Sequence, residues 1–219
     1  MTTLNPGGFL IHPGGYRNLV CYKKSVILYD MTIYYIDKYL QPSDRTYGQM
    51  QQAARSGKQN IVEGYSDAEG SSDSYHRLAV IAKGSLEELL EDFEDYLRVH
   101  QLERWGQQHP KYIACIPLFQ KHNDSQWYRR QIEGRSDEDI ANIAIIVIHQ
   151  TLALLRGLID RIDKKFLEEG GIKEQRFQAR LKYRNNQRDS REIRETPNDP
   201  KTPYNPNDPK TPNNPNHHP

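Results

Sequence analysis

The run Arg55-Ser56-Gly57-Lys58 is the first place in this sequence where residue types invite chemistry. A glycine followed by lysine cradles phosphate in a Walker loop, where backbone N–H groups wrap the anion and the lysine amine reaches it. Such a loop needs four residues between its glycines and a Ser or Thr after the lysine. Here Gln59 follows Lys58, and no strand pattern precedes the run. The other candidates are isolated. Asp73 and His76 share once the three-residue step by which helical bundles hold paired iron, and one pair cannot build a two-metal site. His100 and His149 are lone helical histidines, and neither Cys21 nor Cys115 has a base nearby in sequence. With no nucleophile elbow, glycine fingerprint or metal quartet, the expectation is a chain that is not an enzyme and uses no cofactor or metal.

Holding phosphate without reacting with it asks for less. Arg and Lys gain affinity for nucleic acid by releasing counterions from its backbone. The candidates are Arg55, Lys58 and Arg77 in the body, and Arg176, Arg180, Lys182, Arg184, Arg188 and Arg191 in a C-terminal arm, where Phe177 and Tyr183 could also stack on bases. The 219-residue chain has a net charge of only +1, so the whole molecule projects no strong field. The distribution is uneven, because residues 172–195 carry eight Lys and Arg against four acids and leave the body mildly acidic. Negative charge gathers in "EELLEDFED", with Glu87, Glu88, Glu91, Asp92, Glu94 and Asp95 close together. That pattern suits a solvated face, or a dock for a basic surface on a neighbouring copy or on this chain's own arm.

The elements that must position these residues read as helices. From Tyr16 to Leu40, the residues Leu19, Tyr22, Val26, Tyr29, Ile33, Ile36 and Leu40 recur at three- and four-residue steps, a packed seam that Pro42 stops. A second helix runs from Tyr47 to Glu63 with Met50, Ala53, Gly57 and Ile61 on one face, and Gly64 fits its C-cap. Small residues at four-residue spacing let two helices approach closely, which gives Gly57 a reason to sit in a helix interior. A third helix spans Asp73 to Glu103. Residues 104–135 lack a sustained period and hold two prolines, which points to an irregular excursion. Ser136 and Asp139 then form a capping box, opening a fourth helix that runs to Glu169. Its first half, from Ile140 to Ile148, is apolar on nearly every side, so it belongs at the centre of a bundle or in an oligomer interface.

The ends differ from this body. Residues 1–15 form an N-terminal extension with no basic n-region, unlike a signal peptide. The arm at 172–195 has the pattern of a surface helix. Beyond it, residues 196–219 repeat "PNDPKTP" at a nine-residue period, and proline this dense predicts a disordered tail. Two distant cysteines suit a reducing, cytoplasmic setting. The longest apolar run, "IAIIVI" at 143–148, stops at His149, short of the roughly 20 residues of a membrane span, so no membrane is expected.

Residues 49–64 resemble the signature of the four-helix-bundle proteins encoded in intervening sequences of bacterial 23S ribosomal RNA genes. The match falls at Gln49, Met50, Ala53, Ala54, Ser56, Asn60, Ile61, Glu63 and Gly64. The third helix adds "IAKGSLEEL", with Ile81, Ala82, Gly84, Ser85, Leu86, Glu88 and Leu89. The resemblance covers roughly residues 16–170 of an expected bundle at 16–171, and "FLEEGGIKEQRFQARL" looks like the subgroup with an added C-terminal region. The family's paired arginines are replaced by Gln51 and Gln52 and its proline by Lys58, which shifts phosphate binding toward the arm. The resemblance implies an all-α, up-down antiparallel four-helix bundle that assembles into a homopentameric ring. One branch serves diversity-generating retroelements, its ring binding a reverse transcriptase and nucleic acid.

The combined expectation is an oligomeric, non-catalytic accessory protein that binds RNA, DNA or a nucleic-acid enzyme. Ala53, Ala54, Gly57, Ile61, Gly64 and Gly84 would serve packing, and Asn60, Glu63 and Ser85 hydrogen bonds within or between subunits. The rival is a structural adaptor presenting the acidic helix and the proline-rich tail to protein partners.

Overall fold

A computed structural model describes residues 15–68 and 70–195. The described residues form seven α-helices and no strand: α1 (Val20–Tyr39), α2 (Arg45–Asp67), α3 (Ser72–Val99), α4 (Pro110–Lys121), α5 (Ser125–Ile132), α6 (Asp137–Glu169) and α7 (Ile172–Glu195), with a 3-10 turn at Tyr16–Asn18 before α1. The all-α expectation stands. The N-terminal extension, apart from Gly15, and the proline-rich tail lie outside the described residues. The chain divides after Phe177 into two units, and the greater part of α7 belongs to the second.

Helix starts follow side-chain caps. Asp44 accepts from the Thr46 N–H at 2.9 Å, Ser71 from Ser74 at 3.1 Å and Ser136 from Asp139 at 3.1 Å. The Asp139 carboxylate is bound outward, to Lys111 at 2.6 Å and Arg135 at 3.5 Å. Gly170 ends α6 with φ 72, a left-handed backbone that favours glycine.

Four long helices pack in a closed order, α1 on α2, α2 on α3, α3 on α6 and α6 on α1. Contacts run in opposed order along three of these pairs. Between α1 and α2, Lys58 lies on Tyr29 and Tyr47 donates to Asp37, and Tyr16, in the turn before α1, meets Tyr65 near the end of α2. Between α3 and α6, His76 meets Asp163, Glu87 meets Arg156 and Tyr96 meets Asp137. Residues 140–148 of α6 are all buried, as its apolar first half requires. By length and composition α6 could also cross a membrane, despite His149 and Gln150, and a buried core helix passes the same test.

Three expectations are corrected. The buried face of α1 is Cys21, Lys24, Ser25, Ile27, Leu28, Met31, Thr32, Tyr35 and Ile36, turned by about one residue from the predicted seam. Tyr22, Tyr29 and Tyr34 remain half-buried at its border, where a ring can pack and a hydroxyl stay wet. Ser25 goes inside because its hydroxyl donates to Tyr22 O at 2.7 Å. Residues 104–135 are not wholly irregular, for they contain α4 and α5. These helices have 12 and 8 residues, too few turns to show a period, and Pro117 interrupts the pattern of α4. Finally, α2 continues past Gly64 to Asp67, so that glycine is not a cap.

What anchors α4 and α5 is a charge. Lys24, 2% exposed, donates to Phe119 O, to His122 O at 2.9 Å and to the Tyr128 hydroxyl at 2.7 Å. All three ammonium protons are thereby used, and two go to the carbonyl end of α4, where a cation is favoured by the helix dipole. Burial with no carboxylate partner pushes the Lys24 pKa down to about 8, so it stays charged at neutral pH. Asn142 pins the preceding loop, accepting from Trp105 N at 2.7 Å and donating to Glu103 O and Glu138 O at 2.8 and 2.9 Å.

Lys24→Met should cost roughly 1–3 kcal/mol in a urea titration, because the Phe119 and His122 carbonyls are left to share the single, longer donor of the Tyr128 hydroxyl at 3.3 Å. The pH dependence has a definite sign. Between about 8 and 10.5 the unfolded chain holds a proton on Lys24 that the folded chain has released, so this lysine's contribution to stability rises with pH across that window. The same titrations of Lys24→Met should show a flatter rise.

Candidate nucleic-acid and assembly surfaces

The inner face of α2 is built for close approach. Ala53, Ala54, Gly57, Ile61 and Gly64 are all buried on it. A Cβ placed on Gly57 would lie 2.7 Å from Leu86 Cδ2 and 2.9 Å from its Cγ, and one on Gly64 would meet Leu78 Cβ at 3.1 Å and the Tyr75 ring at 3.2 Å. Gly84 is different, since nothing lies within 4 Å of a Cβ built there. Polar groups stitch the same seam. Ser56 and Ser85 hydroxyls are 2.9 Å apart, Ser85 donates to Ile81 O, and Asn60 donates to Ser56 O at 2.9 Å and Ser56 Oγ at 3.1 Å. Glu63 is exposed on α2.

Beside this seam, α2 and α3 leave an open groove of about 870 Å³. From α2 it takes Arg45, Gly48, Gln49, Gln52, Ala53 and Ser56, and from α3 Ser85, Glu88, Glu91 and Asp92. The α2 side is smooth where glycine, alanine and serine line it, and the α3 side is acidic. Asp92 is half-buried, and burial, with Asp95 and Glu88 adding to it, pushes its carboxyl up to about 6. The amphipathic spacing of these carboxylates was visible in sequence. The groove was not, because it depends on which residues of α2 oppose them.

The basic residues predicted on the body do not gather. Lys58 is half-buried with its ammonium 3.9 Å from the centre of the Tyr29 ring, a cation–π contact that occupies it. Arg55 and Arg77 are exposed. The pairing of Gly57 with Leu86 and of Gly64 with Tyr75 puts Arg77 about ten residues along α2 from Arg55, roughly 15 Å.

The arm is helical, as α7. Arg176, Arg180, Lys182, Arg184 and Arg188 are exposed, as are Phe177, Leu181 and Tyr183. The side chain of Arg191 lies outside the described residues. At 100° per residue, the four arginines spaced every fourth position fall within an arc of about 120°, with Phe177 inside it and Lys182 on the opposite side. Sequence reading found these residues; their sharing one face follows only from a helix unbroken through this stretch.

Nucleophiles are poorly placed. Burial pushes the Cys21 thiol up to about 11 and raises that of Cys115. His149 is shifted down by burial and by Arg104, which itself binds Glu94 at 3.0 and 3.1 Å. Among the described residues no three His, Cys, Asp or Glu side chains converge on a metal-sized site. Sequence reading missed Lys24 and Asn142. The available signal for Lys24 was its place between Cys21 and Ile27, a lysine within the apolar span of α1.

Comparison of the chain with protein-family models, curated proteins and solved structures gives no match.

Gly57→Leu should lower the unfolding free energy by about 1–3 kcal/mol, since Leu86 already holds the space. Urea unfolding followed by circular dichroism measures it, and an unchanged midpoint would mean that Gly57 does not set the approach of α2 and α3.

Proposed function

We propose that this chain is a non-catalytic helical accessory protein that binds nucleic acid through the arginine face of α7. One observation carries the reading: Arg176, Arg180, Arg184 and Arg188 recur every fourth residue on an exposed helix. Successive guanidinium groups then stand about 6 Å apart along the helix axis, a line of cations able to follow a phosphate backbone. A single helix also fits the major groove of duplex DNA, about 12 Å wide. Phe177 and Tyr183 add rings that could stack on unpaired bases.

The body is, on this reading, an up-down antiparallel four-helix bundle of α1, α2, α3 and α6, with α4 and α5 inserted before the last. The opposed contacts of α1 with α2, α2 with α3 and α3 with α6 support that topology. The resemblance to the 23S rRNA intervening-sequence family supports an oligomer, a pentamer in its relatives, and a nucleic-acid enzyme such as a reverse transcriptase as protein partner. The body contributes little to phosphate binding here, because Lys58 is engaged by Tyr29 and Arg55 stands apart from Arg77.

The test compares the full chain with Arg180→Glu/Arg184→Glu on structured RNA and duplex DNA, between about 50 and 200 mM salt. The variant should bind more weakly at every salt concentration, with a log–log salt slope shallower by about two. Equal affinity and slope would overturn the reading. Absence of binding by the unmodified chain would favour the adaptor function, with the acidic face of α3 as its contact surface.

A further inference from the structure

We propose that the groove between α2 and α3 receives α7 of a second copy of this chain. The groove and the helix are complementary in charge. Glu88, Glu91 and Asp92 line it against the single cation Arg45, whereas described side chains of α7 from 174 to 188 include five cations and one acid, Glu174. Asp92 is half-buried beside Glu88 and Asp95, a position that a guanidinium fork would relieve.

Shape and length agree with charge. The α2 side of the groove runs from Arg45 to Ser56, about 16 Å, and the arginine stripe from Arg176 to Arg188 spans about 18 Å. Gly48, Ala53 and Ser56 give the groove a low floor, so a helix can lie close. The Ser56–Ser85 hydrogen bond already satisfies the hydroxyls of that floor, which leaves the carboxylates above it as the groups needing a partner. On α7, Phe177 and Leu181 stand beside the arginines, 59% and 36% exposed, and docking would cover them against Ala53 and the stems of Gln49 and Gln52. Nucleic acid does not suit this groove, because its acidic wall repels phosphate.

Donor helix and acceptor groove are different surfaces, so the contact closes as a reciprocal two-fold exchange of α7 or runs head-to-tail into a ring or filament. The experiment is sedimentation of the full chain over a concentration series up to about 0.1 mM, alongside three variants. Glu88→Lys/Glu91→Lys reverses the groove, Arg180→Glu/Arg184→Glu reverses the helix, and the third chain carries all four changes. Circular dichroism checks that each folds. Each reversal alone should weaken self-association more than about tenfold, and the four-fold variant should recover it, since both charges are exchanged. A monomeric unmodified chain, association that survives groove reversal, or no recovery in the combined variant would each overturn the proposal. The docked arginines are those proposed to bind nucleic acid, so any one α7 serves one contact or the other. The groove reversal Glu88→Lys/Glu91→Lys leaves α7 untouched and contains no nucleic acid in its readout, so its failure leaves the binding reading standing.

Discussion

Leu86 fills the volume that a side chain at position 57 would need, and the register of α2 on α3 follows from that contact. With these two residues opposed, Ser56 lands on Ser85, and Gly64 lands on Tyr75 and Leu78. The helices are then too close for larger side chains along the seam, yet open on the outer side, where Gly48 and Ala53 face Glu88 and Asp92 across the groove. The same contact places α3 so that its other face meets α6, whose buried first half has no polar side to offer water. A helix interior tolerates a glycine, at about 1 kcal/mol against alanine, when a neighbour occupies the space so released.

Charge is partitioned among elements in a way that the total of +1 conceals. The acids of α3 lie on the body, the arginines on one arc of α7, and Lys24 is buried between α1 and the carbonyl end of α4. Each has a different electrostatic setting. The exposed arginines are hydrated and screened by salt, so they act on partners more than on stability. Lys24 is dry and fully hydrogen-bonded, so it acts on the fold and offers nothing to a partner.

Long amphipathic helices were legible because their period survives many turns. The cap at Ser136, the burial of residues 140–148 and the run of arginines in the arm were all readable from spacing alone. The face of α1 was not, because serine and lysine count as polar in any hydropathy pattern, yet Ser25 and Lys24 enter the core once their hydrogen bonds are met locally or by a partner far along the chain. The short helices α4 and α5 failed for lack of length, and Gly64 because a glycine near a helix end looks the same whether it terminates the helix or admits a neighbour. Of the candidate surfaces, the residues were visible and the juxtapositions were not. The acidic positions of α3 become a groove only when α2 stands beside them, and the arginines become a face only in an unbroken helix.

The partners of Lys24 lie 95, 98 and 104 residues away in sequence. One ammonium therefore ties the first long helix to a segment about a hundred residues further on, and the chain between the two ends is the bundle itself. The link is a through-space staple without a covalent bond, so the loss of a single amine is enough to loosen the grip of α1 on the α4–α5 segment while the apolar packing of the long helices stays in place.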